Sequence, residues 1–319
     1  MASPTPKSKR HVPQPPAQPE VVSPIWLIKA LGVTLLVAFL CAYATFCYLF
    51  YQGQWQLILH PVRTSASPES IAGTPYDLIH FATDDSGTPQ LTGWWIPATS
   101  NARYAHETLL FLPGADGSLA DSISTLATLH NLGINIFAFD YRGYGQSATT
   151  HPTQLNMIQD ADSGWRYLTV SRHIPAGEII PYGTGVGASL TTHLAAVHVV
   201  IPALVLDSPQ ADLLNTAIHD PRSNLIPTRL LFHELFPLTE PLASLHTPKL
   251  LISYGASPAS FHTASDPKVT VELATRSETL YTQALTRFLD QYVSPAPAQL
   301  VPTPAPNTQK SALTSRAKR

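Results

Sequence analysis

Glu178-Ile-Ile-Pro-Tyr-Gly-Thr-Gly-Val-Gly-Ala-Ser-Leu190 is the stretch on which the reading of this chain turns. A short β-prone run ends at Tyr182, and Gly183, Gly185 and Gly187 follow at alternate positions. Leu190, Leu194 and Val197 then recur at helical spacing. The pattern is strand, tight glycine turn, helix, the local unit of a mostly parallel α/β sheet. Gly185 stands at the apex of that turn. Backbone strain there costs a residue with a side chain on the order of 1–3 kcal/mol, and glycine escapes most of it.

Working outward, the pattern repeats on both sides. Residues 76–83, 91–97, 108–112, 134–140, 203–207, 250–254 and 269–273 read as further strands beside 178–182. Between them, Leu119, Ile123, Leu126 and Leu129 mark one helix face, and Leu155, Ile158, Ala161, Trp165 and Leu168 a second. Leu280, Ala284, Leu285, Phe288 and Leu289 mark the last. Alternation of this kind calls for a doubly wound sheet with its functional loops at the carboxyl ends of the strands.

The ends read differently. Residues 1–24 are rich in Pro, Ser and Ala and carry Lys7, Lys9 and Arg10, the composition of a disordered basic tail. From Ala30 to Phe50 no residue is charged, and Trp26, Tyr48, Tyr51 and Trp55 stand where interfacial aromatics would. We expect a membrane-spanning helix over 25–51. Basic residues favour its N-terminal flank, which predicts a cytoplasmic N-terminus and a folded domain, 52–293, on the other side. A cleaved signal peptide is the rival, because Ala42-Tyr43-Ala44 resembles a cleavage site, but the apolar run continues through Phe46, Leu49 and Phe50. Residues 294–319 form a second Pro/Ala-rich tail, also expected to be disordered.

Across 319 residues the formal charge is −2, which gives no reason to expect nucleic acid. Both cysteines, Cys41 and Cys47, lie in the apolar run, so the folded domain has no disulfide or thiolate metal site to build. No cofactor is implied. The partners expected are the membrane, through the N-terminal helix, and a small molecule or protein of unknown identity.

Five stretches in order carry a resemblance: Gln54-Trp-Gln-Leu-Ile-Leu-His60-Pro61, Leu91-Thr-Gly-Trp-Trp-Ile-Pro97, Phe111-Leu-Pro-Gly-Ala-Asp-Gly-Ser118, Phe139-Asp-Tyr-Arg-Gly-Tyr-Gly-Gln-Ser147 and Leu204-Val-Leu-Asp-Ser-Pro209. Together they resemble membrane-anchored α/β hydrolases of the ABHD and serine-aminopeptidase-like group. The resemblance implies an α/β-hydrolase fold over roughly residues 52–292. It also makes Gly183–Gly187 that fold's nucleophile elbow, G-x-S-x-G, with the serine replaced by Gly185.

The remaining machinery the resemblance implies is unfilled as well. The acid should follow a strand ending in Gly-x-x-Asp, but Tyr254-Gly-Ala-Ser-Pro258 has Pro258 there. The histidine should follow the last strand, yet Leu273-Ala-Thr-Arg-Ser-Glu278 contains none and His262 is the final histidine. The link from 256 to 268 is also shorter than the family's usual one. In the oxyanion loop Pro113 and Ala115 replace the family's histidine and asparagine. The backbone N–H groups of Ala115 and Val186 are still able to bind an anion or carbonyl. The chain is therefore expected to be a pseudohydrolase with no catalytic residues.

Other readings compete at individual residues. Ser257, His262 and Asp266 form a shifted site or ordinary turns. Ser189 and His193, four apart on a helix, face each other or pack separately. Asp207 and Ser208, adjacent on a strand, are expected to point to opposite faces and not to act together. Asp160 and Asp162 are expected to be solvated, and Asp140 and Arg142 to hold their glycine-rich turn. A relocated serine would make the chain a working hydrolase. Gly183-Thr-Gly-Val-Gly-Ala188 also satisfies G-x-G-x-x-A, with Asp207 where a ribose-binding acid would stand, so dinucleotide binding is the third reading.

Overall fold

The computed structural model describes residues 23–210, 213–275 and 277–293; of the expected tails, 1–24 and 294–319, all but residues 23 and 24 lie outside them, and Pro24 begins a helix. The chain divides into two compact units at Gln52/Gly53. The first is built on α1, Pro24–Gly53, a 30-residue helix with no buried residue. At 1.5 Å per residue it is about 45 Å long, more than a hydrocarbon core requires. Its two threonines turn their hydroxyls inward, Thr34 to the Ala30 carbonyl and Thr45 to that of Cys41, both at 2.9 Å, so neither presents an unmet donor outward. By length and composition the helix is able to cross a membrane. It begins one residue before the expected span and ends two beyond it.

The second unit is an eight-stranded sheet. Its strands are β2 (Asp77–Thr83), β3 (Pro89–Ile96), β4 (Tyr104–Leu112), β6 (Ile134–Asp140), β7 (Ile179–Gly185), β8 (Leu204–Pro209), β9 (Lys249–Tyr254) and β10 (Lys268–Leu273). They lie side by side in the order β10-β9-β8-β7-β4-β6-β3-β2, and only β3 runs against the rest. All eight expected strands are present within a few residues of their expected ends. Two further strands of two residues each, β1 (His60–Pro61) and β5 (Asp116–Gly117), pair in parallel outside the main sheet.

Helices cover both faces. α2 (Ile123–His130) and α9 (Glu278–Tyr292) pack together on one, and α3 (Gln154–Arg166) and α4 (Gly187–Val197) on the other. Central strands such as β4 and β6 therefore bury successive residues on both sides, and Leu109 to Leu112 and Phe137 to Phe139 are all inaccessible. Between β8 and β10 the chain adds four short helices that carried no helical period: α5 (Leu213–His219), α6 (Thr228–Leu231), α7 (Thr239–Ser244) and α8 (Ala259–Thr263).

The order of crossovers positions the site. From β4 the chain crosses through α2 to β6 on one side, then returns through α3 to β7 on the other side of β4. The carboxyl ends of β4 and β7 thus flank the point where the winding reverses, the usual crevice for a ligand in such sheets.

Candidate functional site

At the end of β7 the chain turns at Gly185 with φ +52°, a left-handed conformation that favours glycine. The flanking glycines are required for a different reason. A Cβ on Gly183 would lie 2.3 Å from the Gly187 carbonyl oxygen, and one on Gly187 would lie 2.2 Å from that of Leu112. Helix α4 consequently starts directly against β4, and its N-terminus faces the crevice. The atoms nearest a Cβ on Gly185 would be the Gly114 Cα at 3.2 Å and the Gln210 side-chain oxygen at 3.7 Å. The turn has the form of a nucleophile elbow, with no side chain at its apex.

The loop after β4 completes the crevice. Its carbonyls are held from behind by two buried tyrosines of the 139–147 turn: Tyr141 donates to the Pro113 oxygen at 3.1 Å and Tyr144 to the Ala115 oxygen at 2.9 Å. The His60 N–H also donates to the Ala115 oxygen, at 2.9 Å. Among the described residues no hydrogen-bond acceptor is found for the N–H groups of Ala115 and Val186. Sequence reasoning took the 139–147 turn as a signature and missed what its tyrosines do. The two aromatic hydroxyls within a glycine turn were the available signal.

The other triad positions can now be located. Pro258 is the N-cap of α8, has no side-chain oxygen that could orient an imidazole, and its carbonyl accepts from the Phe261 N–H at 3.0 Å. The described residues between β10 and α9, Ala274, Thr275 and Ser277, include no histidine. His60 Nδ1 instead bonds Asp116 Oδ1 at 2.7 Å, and both side chains are more than half exposed.

Beneath the ends of β7 and β8 lies a buried polar cluster. Tyr182 donates to Asp207 Oδ2 at 2.7 Å and also bonds the hydroxyl of Tyr281 from α9. Burial, with Tyr281 and Asp207 beside it, holds the Tyr182 hydroxyl well above the usual phenol range. Ser208 donates to Asp207 Oδ1 at 2.8 Å. This corrects the expectation that adjacent strand residues diverge: Ser208 has φ +48°, which breaks the alternation and folds its hydroxyl back.

A cavity of about 400 Å³ opens here, lined by Thr184, Asp207, Ser208, Tyr254, Ser277 and Tyr281 among others. A second, of about 410 Å³, is lined by His60, Asp116, Gln210, Leu213, Pro258 and Ser260 among others. Ser260 Oγ is buried without a partner. Residues of the elbow region thus reach both cavities, Thr184 the first and Gln210 the second.

The remaining candidates resolve individually. Ser189 donates to the Pro237 oxygen at 2.7 Å, whereas His193 Nε2 lies 3.8 Å from Asp162, so that pair does not form. Ser257 bonds Ser253 and Glu272, and no bond joins it to His262 or Asp266. Asp160 is buried rather than solvated, a second correction, because the guanidinium of Arg142 reaches it at 2.6 Å. Burial raises the Asp160 carboxyl to about 6 although Arg142 draws it down. Asp140 accepts from the Leu119 N–H at 2.7 Å and its carbonyl accepts from Ser147, so this residue and Arg142 do hold the turn.

Over 229 residues the chain is 30% identical to an uncharacterized protein of Mycobacterium tuberculosis, covering 72% of this chain and 78% of that one. Over 173 residues it is 29% identical to the alpha/beta hydrolase domain-containing protein 17B of Homo sapiens, covering 54% and 56%. Among solved structures the Pyrococcus furiosus esterase Pf2001 is similar with a TM-score of 0.57 at 18% identity, covering 73% of this chain and 99% of that one. An alpha-beta hydrolase from Vibrio vulnificus is similar with a TM-score of 0.53 at 17% identity, covering 74% and 96%. These structural likenesses speak to the fold alone. No family model matches the chain.

Proposed function

This chain belongs to the α/β-hydrolase-domain family, and from that premise we propose that it is a membrane-anchored pseudohydrolase. It binds a ligand or partner at the crevice between the 113–118 loop and the elbow, and does not cleave it. One observation carries the reading: the elbow is intact in backbone, with φ +52° at its apex and glycines wedged on either side, yet the apex residue is Gly185. Acyl transfer needs an attacking atom and a base to take its proton. The N–H groups of Ala115 and Val186 supply only the carbonyl-binding part of that chemistry. The helix α1 acts as the anchor, with the N-terminus in the cytoplasm and the folded domain on the opposite side.

Turnover of p-nitrophenyl butyrate by the purified full chain tests this directly. Release of nitrophenol at the buffer rate supports the reading, and saturable turnover contradicts it.

A working hydrolase with a relocated serine is the second reading. Ser208 favours it, because its left-handed backbone and its bond to Asp207 are unusual for a strand residue. Dinucleotide binding is the third, and the occupation of the Asp207 carboxylate by Tyr182 and Ser208 weighs against it. A saturable fluorescence change on titration with NADH would revive it.

A further inference from the structure

The segment between α5 and α7 packs its phenylalanines inward and leaves three leucines, Leu225, Leu230 and Leu235, exposed. Phe232 and Phe236 are buried, while Leu230 is 82% exposed and Leu225 77%. Leu230 and the exposed Arg229 flank an apolar groove of about 380 Å³, whose other walls include Ile218, Ile226 and Pro227. Exposed leucines clustered in this way mark a surface that meets another phase or protein.

A buried side chain ties this segment to one particular place in the chain. Gln54 accepts from the His233 N–H at 2.7 Å and donates to the Leu231 carbonyl at 3.3 Å. Gln54 is the residue that follows Gly53, the last of α1. The expected span of α1 ends at residue 51, three residues before Gln54, and the Gln54 side chain reaches the backbone of residues 231 and 233.

We propose that residues 225–235 rest on the phospholipid bilayer that α1 crosses, with Leu225 and Leu230 entering its interface and Arg229 facing lipid phosphates. The occupant is the chain's own membrane, because the continuity runs through Gln54 to the spanning helix. The inference rests on the anchored reading of α1.

The test uses the full chain in vesicles of phosphatidylcholine with no other protein present. In a Cys41→Ala, Cys47→Ala background, nitroxide labels are attached separately through Leu230→Cys, Phe39→Cys in α1 and Leu155→Cys on α3, where Leu155 is 65% exposed. Collision rates with oxygen and with a water-soluble nickel chelate then report immersion. The expected result is a several-fold lower nickel collision rate at position 230 than at 155, approaching that at 39. Equal rates at 230 and 155 with protection at 39 would overturn the inference while leaving the anchor standing, and would point to a protein partner for the leucines. Equal rates at all three would remove the anchor and the inference together.

Discussion

The Cα of Gly114 stands 3.2 Å from the point a Cβ on Gly185 would occupy, so the loop after β4 closes over the apex of the elbow almost to contact. A serine at 185 would displace that loop by a few tenths of an ångström and also adopt a left-handed backbone. Gly185→Ser is therefore expected to lower stability by about 1–2 kcal/mol. It is not expected to confer esterase activity, because no histidine follows β10 to take the proton. Denaturant unfolding and ester turnover on the same preparation check both halves. Turnover above the parent chain would reveal a histidine acting at the crevice.

The flanking glycines should respond far more strongly. In Gly187→Ala the new Cβ would collide with the Leu112 oxygen at 2.2 Å, a backbone atom that cannot swing away. We expect a loss of roughly 3 kcal/mol or more, against roughly 1 kcal/mol for Gly185→Ala. Thermal unfolding of the two variants side by side gives the order, and a milder effect at 187 would contradict the close approach of α4 to β4.

Removing a hydroxyl behind the 113–118 loop should loosen it without emptying the core. Tyr144→Phe keeps the ring and deletes the bond to the Ala115 oxygen, leaving that carbonyl with the His60 N–H alone. The expected loss is about 1 kcal/mol. Amide exchange localised to residues 113–118 should quicken in the variant, and unchanged exchange there would show that the tyrosine does not hold the loop.

Glu107 makes stability depend on pH. Burial, with Glu178 adding repulsion, raises its carboxyl to about 7, and its Oε2 is buried without a partner. Because the folded chain holds this proton more tightly than the unfolded chain, the contribution is fully present below about pH 4.5 and is lost as pH rises through 7. Glu107→Gln should therefore be more stable than the parent above pH 7, by about 1–3 kcal/mol, with the difference shrinking toward pH 5. Asp140 and Asp160, each raised to about 6 chiefly by burial, give slopes of the same sign, so the measurement is the difference between parent and variant.

The sheet was legible because its strands are short apolar runs separated by glycine and proline turns, and the elbow was legible because steric need fixes Gly183 and Gly187. The four short helices between β8 and β10 escaped because α6 and α8, at four and five residues, are too short to show a helical period. Ser208 escaped because a single positive φ reverses a side chain without leaving a mark in composition. The burial of Asp160 escaped because its partner, Arg142, lies 18 residues away. The glycine at 185 and the proline at 258 are read from letters alone.

Labelling the purified full chain with a fluorophosphonate probe, followed by peptide mapping, tests the central claim most directly. If the crevice binds without attacking, no serine in residues 53–293 becomes modified at any probe concentration that labels a control esterase. Stoichiometric modification of one serine there, at Ser208 or elsewhere, would contradict the account.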